Sequence, residues 1–137
     1  MIPKLYIDTD IIFDLLLQRM PFYSYSFIVF QLAEEGKLEL YVSSLSFTNL
    51  YYVLRKKFKK EQTIKALKSL SNIVNILSVD KKIINDSLDS GFYDFEDAVQ
   101  YYSAKSNEIE IILTRNKKDY KAEDIAVMTP DEYLAAM

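Results

Sequence analysis

Four aspartates carry most of the chemistry this chain could perform: Asp8 near the N-terminus, Asp94 and Asp97 in the segment DFED, and Asp119 in the segment TRNKKD. They stand out because so little else can act. The chain has no His, which excludes a Ser-His-Asp triad, a His-based acid/base pair and a His-ligated zinc site. It has no Cys, which excludes a disulfide, a thiol nucleophile and a Cys-ligated metal. Its two glycines, Gly36 and Gly91, are too few for a P-loop or a GxGxxG fingerprint. What remains is carboxylate chemistry, most simply with a hard divalent cation, or no catalysis at all. A donor set made only of oxygen suits Mg²⁺ or Mn²⁺.

The elements that would position these acids can be read from the pattern. With 137 residues, half of them apolar, the chain makes one domain (1–137) with a single sizeable core. A formal net charge of −3 argues against a strong nonspecific polyanion binder and leaves room for local basic patches. The start, MIPKLYIDTD, lacks the apolar core of a signal peptide, and no run reaches the roughly 18 residues that a membrane span requires. The expectation is a soluble, cytoplasmic protein with no membrane association.

Short apolar or β-branched runs at 4–7, 38–42, 73–79 (around VNIL), 109–113 and 125–128 predict strands. Helical periodicity predicts helices over IIFDLLLQ, over 23–35 with Gly36 as stop, over 46–58, 61–72, 81–90 with Gly91 as stop and 94–106, and a last one from Pro130. Strands alternating with helices argue for an α/β fold, a parallel sheet covered on both faces. In that architecture ligands sit beyond the carboxyl ends of the strands, where the strand order reverses.

Asp8 directly follows the first strand, Thr114, Arg115 and Asn116 follow the fourth with Asp119 close behind, and Asp94 and Asp97 open the helix before it. A doubly wound sheet puts all three groups on one edge, where a divalent cation would relieve their repulsion. Such a site can hold a phosphodiester, ionise a water as nucleophile and stabilise the leaving oxygen. Each acid also has a local role open to it. Asp94 with Asp97 fits an N-cap followed by an acid at the third helical position; Asp8 or Asp10 fits a cap on the first helix; Asn116 fits a cap on a short turn. The basic run Arg55, Lys56, Lys57, Lys59, Lys60 complements a helix C-terminus. It is also a candidate phosphate contact, with Arg115, Lys117 and Lys118 beside the proposed site. The pairs Tyr51-Tyr52 and Tyr101-Tyr102 each turn one ring inward and one outward, as core or subunit-contact groups do.

Three segments in order, YIDTDIIFDLL (6–16), DFEDAVQYYSA (94–104) and ILTRNKKDY (112–120), with SSLSFTNLYYVLRK (43–56) between them, resemble the PIN-domain ribonucleases, and within them the VapC-type toxins. The resemblance spans nearly the whole chain and rests on the combination, since no single segment is specific. It implies a three-layer α/β/α sandwich around a parallel five-stranded sheet. It also implies an acidic pocket for Mg²⁺ or Mn²⁺ that cuts RNA, a homodimer, and a small antitoxin protein as partner. Carried over residue by residue, it makes Asp8, Asp94, Asp97 and Asp119 catalytic. Metal ligands would be Asp8, Asp97, Asn116 and Asp119, with Thr114, Asp10 and Asn49 in support. Arg55, Lys56, Arg115 and Lys117 would contact RNA.

Two positions depart from the family pattern. The acid usual in the helix after the second strand is a Glu; here Asn49 stands there, and it is neutral. Two residues after the first acid, where Asn or Ser is common, stands Asp10, which either restores the missing charge or only caps a helix. The leading expectation is a metal-dependent endoribonuclease, the toxin of a toxin–antitoxin pair. The alternative is a PIN-like module that binds RNA or protein and has lost catalysis. A response-regulator receiver domain also gathers acids at strand ends, but its acid pair, lone Asp and late Lys are not found at the required places.

Overall fold

The computed structural model describes all 137 residues. Five strands, β1 (Lys4–Ile7), β2 (Glu39–Ser43), β3 (Val74–Leu77), β4 (Ile111–Leu113) and β5 (Ala126–Met128), form one sheet in the order β3-β2-β1-β4-β5. All four neighbouring pairs are parallel. Parallel neighbours need crossover connections, and helices supply them. These are α1 (Thr9–Leu16), α2 (Tyr23–Glu34), α3 (Ser44–Arg55), α4 (Lys60–Ile73), α5 (Lys81–Leu88), α6 (Phe95–Ser106) and α7 (Pro130–Ala136). None of them is long and apolar enough to cross a membrane.

Side-chain alternation along the strands divides the interior in two. Leu5, Ile7, Leu40, Val42 and Leu113 face a larger core shared with buried residues of α1, α2, α3, α4 and α7. Tyr6 and Ile112, on the opposite face, meet Tyr101 and Ala104 of α6 together with Ile109, Tyr120 and Ile125. Burial of both faces explains why these strands read as continuous apolar runs. The three-layer α/β/α arrangement expected from the sequence is the one observed.

Local chemistry sets the boundaries. The side chains of Asp8, Ser43, Asp80, Asp94 and Thr129 each cap a helix by accepting a backbone N–H. Ser43 caps α3, so that helix begins at Ser44, earlier than the predicted 46. The predicted strand 109–113 is shortened to Ile111–Leu113. Glu108 takes a left-handed φ of 58°, and Ile109 N–H returns to the carbonyl of Ala104, which makes Ile109 part of the α6 terminus. Gly36 and Gly91 follow α2 and α5 at φ 77° and 76°, as helix stops of this kind require.

Strand order reverses between β1 and β4, whose carboxyl ends lie side by side: Ile7 pairs with Leu113, and Asp8 N–H bonds the Leu113 carbonyl at 3.0 Å. The crevice described for doubly wound sheets therefore opens next to Asp8 and Thr114. The same geometry places the basic run expected to contact RNA. A helix that leaves the carboxyl end of a parallel strand runs back toward the other edge. Arg55 and Lys56 thus end α3 roughly 18 Å from its start, on the opposite edge from the acids. There Arg55 Nη1 donates to the Phe58 carbonyl and Lys56 lies over the Tyr52 ring. These two cations thus lie away from the crevice.

The loop after β4 is fixed to α1 by an ion pair that the sequence did not advertise. Asp14, fully buried, accepts from Arg115 Nε at 2.7 Å, and the Arg115 guanidinium lies 4.1 Å from the Phe22 ring centre. Burial pushes the Asp14 carboxyl up, and Arg115 pulls it back down. Removing one partner of a buried pair strands the other charge. Arg115→Ala should therefore cost about 3 kcal/mol in urea unfolding, whereas Asp14→Leu with Arg115→Met should come close to wild-type stability. A cost below about 1 kcal/mol for Arg115→Ala would show that the pair does not hold the loop.

Candidate active site

Asp8 occupies the floor of the crevice, at 6% exposure. Four donors within 3.2 Å converge on its carboxylate. Thr114 Oγ1 and Tyr120 Oη donate to Oδ2 at 2.9 and 2.8 Å. Gln100 Nε2 and the Asp10 N–H donate to Oδ1, both at 3.2 Å. Gln100 Nε2 also reaches Tyr120 Oη at 3.0 Å. Burial, and next the charge of Asp8, lift the Tyr120 phenol well above its usual range, so it stays a donor.

Asp97 stands one turn inside α6, after the capping Asp94, whose Oδ1 accepts the Asp97 N–H at 3.1 Å. Both readings of DFED are thus compatible: Asp94 caps, and it still lines the crevice. Burial raises the Asp97 carboxyl to about 7, and the charges of Asp8, Asp94, Asp119 and Glu96 add to that, in this order. Asp8 is joined to the same helix by Gln100, one turn further along α6. A cleft of about 330 Å³ opens beside Asp97, lined by Asp94, Asp97, Asp119, Lys118 and Lys121 together with Phe92 and Tyr93.

A second group forms around Asp10. Its Oδ2 accepts from Arg115 N–H at 3.2 Å, Asn116 Nδ2 at 3.2 Å and Thr114 Oγ1 at 3.4 Å, while its buried Oδ1 has no partner. Burial first, and then the charge of Asp8, push this carboxyl up. The cap on α1 is Asp8, so Asp10 is turned toward the loop after β4. Asn116 begins the short 3-10 turn Lys117–Asp119 without capping it by its side chain, which is on Asp10 instead.

Asn49, the neutral residue of α3, donates Nδ2 to Glu96 Oε2 at 2.7 Å, and Thr9 Oγ1 donates to Glu96 Oε1 at 2.6 Å. Thr9, Glu96, Gln100, Tyr120 and Asp14 were not singled out as functional from the sequence. A signal was present for two of them. Glu96 and Gln100 lie four apart on α6, hence on one face, and flank Asp97. Of the predicted cations, Arg115 is bound to Asp14 and Lys117 Nζ to Glu132 Oε2 at 2.9 Å, so Lys118 and Lys121 are the lysines lining the cleft.

The oxygen donors suit a hard cation, and two observations support the fit: the partnerless Asp10 Oδ1 and an Asp97 carboxyl crowded by four other acids. No three acids stand close enough to form a complete protein shell. Mg²⁺ does not ask for one, since it keeps several waters and takes one or two carboxylates together with substrate phosphate. Asp97 and Asp119 line the cleft, whereas the Asn116 amide is engaged with Asp10.

A carboxyl whose folded-state pKa lies above its unfolded value binds its proton more tightly in the fold. Its stabilising contribution is complete below about pH 4 and is lost as the pH climbs through about 7. Glu132, held at about 2 first by the Thr129 N–H, works in the opposite sense but only below about pH 4.5. Between pH 5 and 8, in EDTA, the melting temperature should therefore fall, and Asp97→Asn should flatten the fall. A temperature that rises over this range would contradict the crowding of carboxylates described here.

Comparison with known proteins agrees with this geometry. The family model described as PIN domain matches residues 4–118. The chain is 34% identical over 138 residues to Ribonuclease VapC1 of Aquifex aeolicus (strain VF5), covering 95% of this chain and 92% of that protein. Among solved structures, DNA-bound VapBC from Salmonella typhimurium superposes with a TM-score of 0.71 at 15% identity, over 94% of this chain and 99% of that one. VapBC-1 from nontypeable Haemophilus influenzae superposes with a TM-score of 0.70 at 18% identity, over 93% and 98%. These two bear on the fold; the family model and the Aquifex relative bear on descent, and by them the chain belongs to the PIN-domain family, among its VapC-type members.

Proposed function

We propose that this protein is a metal-dependent endoribonuclease and the toxin of a toxin–antitoxin pair. The observation that carries the reading is the bond from Gln100 of α6 to Asp8 at the end of β1, which sets Asp8 against the helix whose first turn carries Asp97 at the sheet's switch point. The Aquifex relative, a ribonuclease by name, supports the reaction class. The VapBC structures support a small antitoxin protein as partner. Phe22, Tyr25, Phe27 and Ile28, large apolar groups exposed on and beside α2, support a partner surface, whether for an antitoxin or for a second copy in a homodimer.

Mg²⁺ or Mn²⁺ bound by Asp8 and Asp97, with Asn116 and Asp119, would supply a nucleophilic water near neutral pH and offset charge on the scissile phosphate. The protein's own groups do the rest. Thr114, Gln100 and Tyr120 hold the Asp8 carboxylate in place through neutral donors. Asp94, at the cleft wall, orients the attacking water. Lys118 and Lys121 attract the RNA backbone. Water oxygen bonds to phosphorus as the bond to the 3′ oxygen breaks; that oxygen takes a proton, and the products carry a 3′ hydroxyl and a 5′ phosphate.

The catalytically silent alternative draws on the neutral Asn49. In this structure Asn49 holds a carboxylate, Glu96, so that side of the crevice is not without charge. Asp8→Asn and Asp97→Asn should each reduce Mn²⁺-dependent cleavage of RNA by more than about 100-fold while circular dichroism shows an unchanged fold. Cleavage at the wild-type rate in both variants would remove the proposal.

A further inference from the structure

An aromatic side chain stands unpacked among the acids and lysines of the cleft. We infer that Tyr93, in the loop 89–94 between α5 and α6, is a stacking platform for an unpaired RNA base, so that the cleft takes single-stranded or looped RNA rather than a continuous duplex. The inference deepens the nuclease reading above and rests on it for its substrate.

A lone exposed aromatic is ordinary on a protein surface. Three observations set Tyr93 apart. Its ring is fully exposed, yet it lines the same cleft as Asp94 and Asp97. Its backbone is held by the residue before it. The Phe92 ring centre lies 5.4 Å from that of Tyr101 and 6.3 Å, edge-on, from that of Tyr120, and Phe92 N–H donates to Ser90 Oγ at 3.1 Å. With Phe92 packed against the smaller core, Tyr93 is presented outward from a fixed point, which lowers the ordering cost of a contact made there. Tyr120 is also the residue whose hydroxyl is on Asp8, so the platform and the floor of the site share one anchor. The third observation is charge. Lys118 and Lys121 line the cleft from the segment after β4, and no ion pair of the chain engages either. Free cations beside an exposed ring match a single strand, whose phosphates meet the lysines while the π-face of a base meets the ring. In a duplex each base is already stacked between its neighbours, and an A-form helix offers a protein its minor groove and backbone instead of base faces. Tyr93 then adds nothing to duplex binding.

The chain contains no Trp, so Tyr93→Trp puts a single indole at the platform, whose emission a stacked base quenches. The intact chain is titrated with a short single-stranded RNA of randomised sequence and with a blunt RNA duplex of the same length, Ca²⁺ replacing Mn²⁺, and binding is followed by the anisotropy of labelled RNA. Tyr93→Ala should weaken single-strand binding about tenfold and leave duplex binding unchanged, and Tyr93→Phe should bind as wild type does. Emission of Tyr93→Trp should be quenched by the single strand and not by the duplex. In Mn²⁺-dependent cleavage, Tyr93→Ala should raise KM about tenfold with kcat little changed. Wild-type affinity in Tyr93→Ala would overturn the inference, as would an equal loss for strand and duplex, or unquenched emission from Tyr93→Trp at saturating single strand. Cleavage by Tyr93→Ala at the wild-type kcat/KM would overturn the platform and leave the nuclease reading standing. Wild-type protein that shows the Tyr93 effects on binding yet cuts no RNA with Mn²⁺ would count against the nuclease reading alone.

Discussion

The structure turns on one buried carboxylate. Asp8 sits at 6% exposure, where an isolated charge would be untenable, and its stability there comes from donors on four separate stretches: the Asp10 N–H, Gln100, Thr114 and Tyr120. The Asp10 N–H is local to the start of α1, but Gln100, Thr114 and Tyr120 together reach Asp8 only if β1, β4, α6 and the segment after the 3-10 turn are all in place. Forming the site and closing the switch point of the sheet are therefore the same event. Tyr120 illustrates the coupling. Its ring is packed in the smaller core against Phe92, while its hydroxyl is on Asp8.

Around that anchor the chain accumulates negative charge that it does not neutralise. Asp97 and Asp10 are both pushed toward their protonated forms by burial and by Asp8. The cations that the sequence places nearby are largely committed elsewhere, Arg115 to the buried Asp14 and Lys117 to Glu132. Two helix N-termini, those of α1 and α6, point into the region and bring positive potential of their own, and each already has an aspartate on its first turn's N–H groups. What is left uncompensated is the setting in which a divalent ion and a phosphate ester would be bound together.

The order of elements was legible in the sequence because its signals are local: apolar runs of strand length, helical spacing, Gly36 and Gly91 as stops, and caps such as Asp94 and Thr129. Asp8 and Asp97 were legible for the same reason, each marking the end of a strand or the first turn of a helix. The side chains that hold them were not. Gln100 and Tyr120 meet Asp8 across separations of 92 and 112 residues, and neither type announces such a contact. Asp14 sits inside an apolar helix stripe with no hint that its partner is Arg115. The place of the basic run at 55–60 was not legible from composition, because position is set by direction: α3 carries those residues away from the edge on which it starts.

The identity of the groups on Asp8 argues for what the site is for. A lysine or arginine in the place of Gln100 would satisfy the same carboxylate at greater strength, and Arg115 stands close enough in sequence to Thr114 to have been used so. Pairing Asp8 with a fixed cation would cancel the charge at the center of the crevice and repel any metal ion. Hydroxyl and amide donors satisfy the lone pairs without adding a positive charge. A purely structural carboxylate has no need for that distinction, since either kind of partner would stabilise the fold. Neutral donors on Asp8, with the nearest arginine turned onto Asp14, are the pattern expected where the remaining charge is to be met by something the polypeptide does not itself contain.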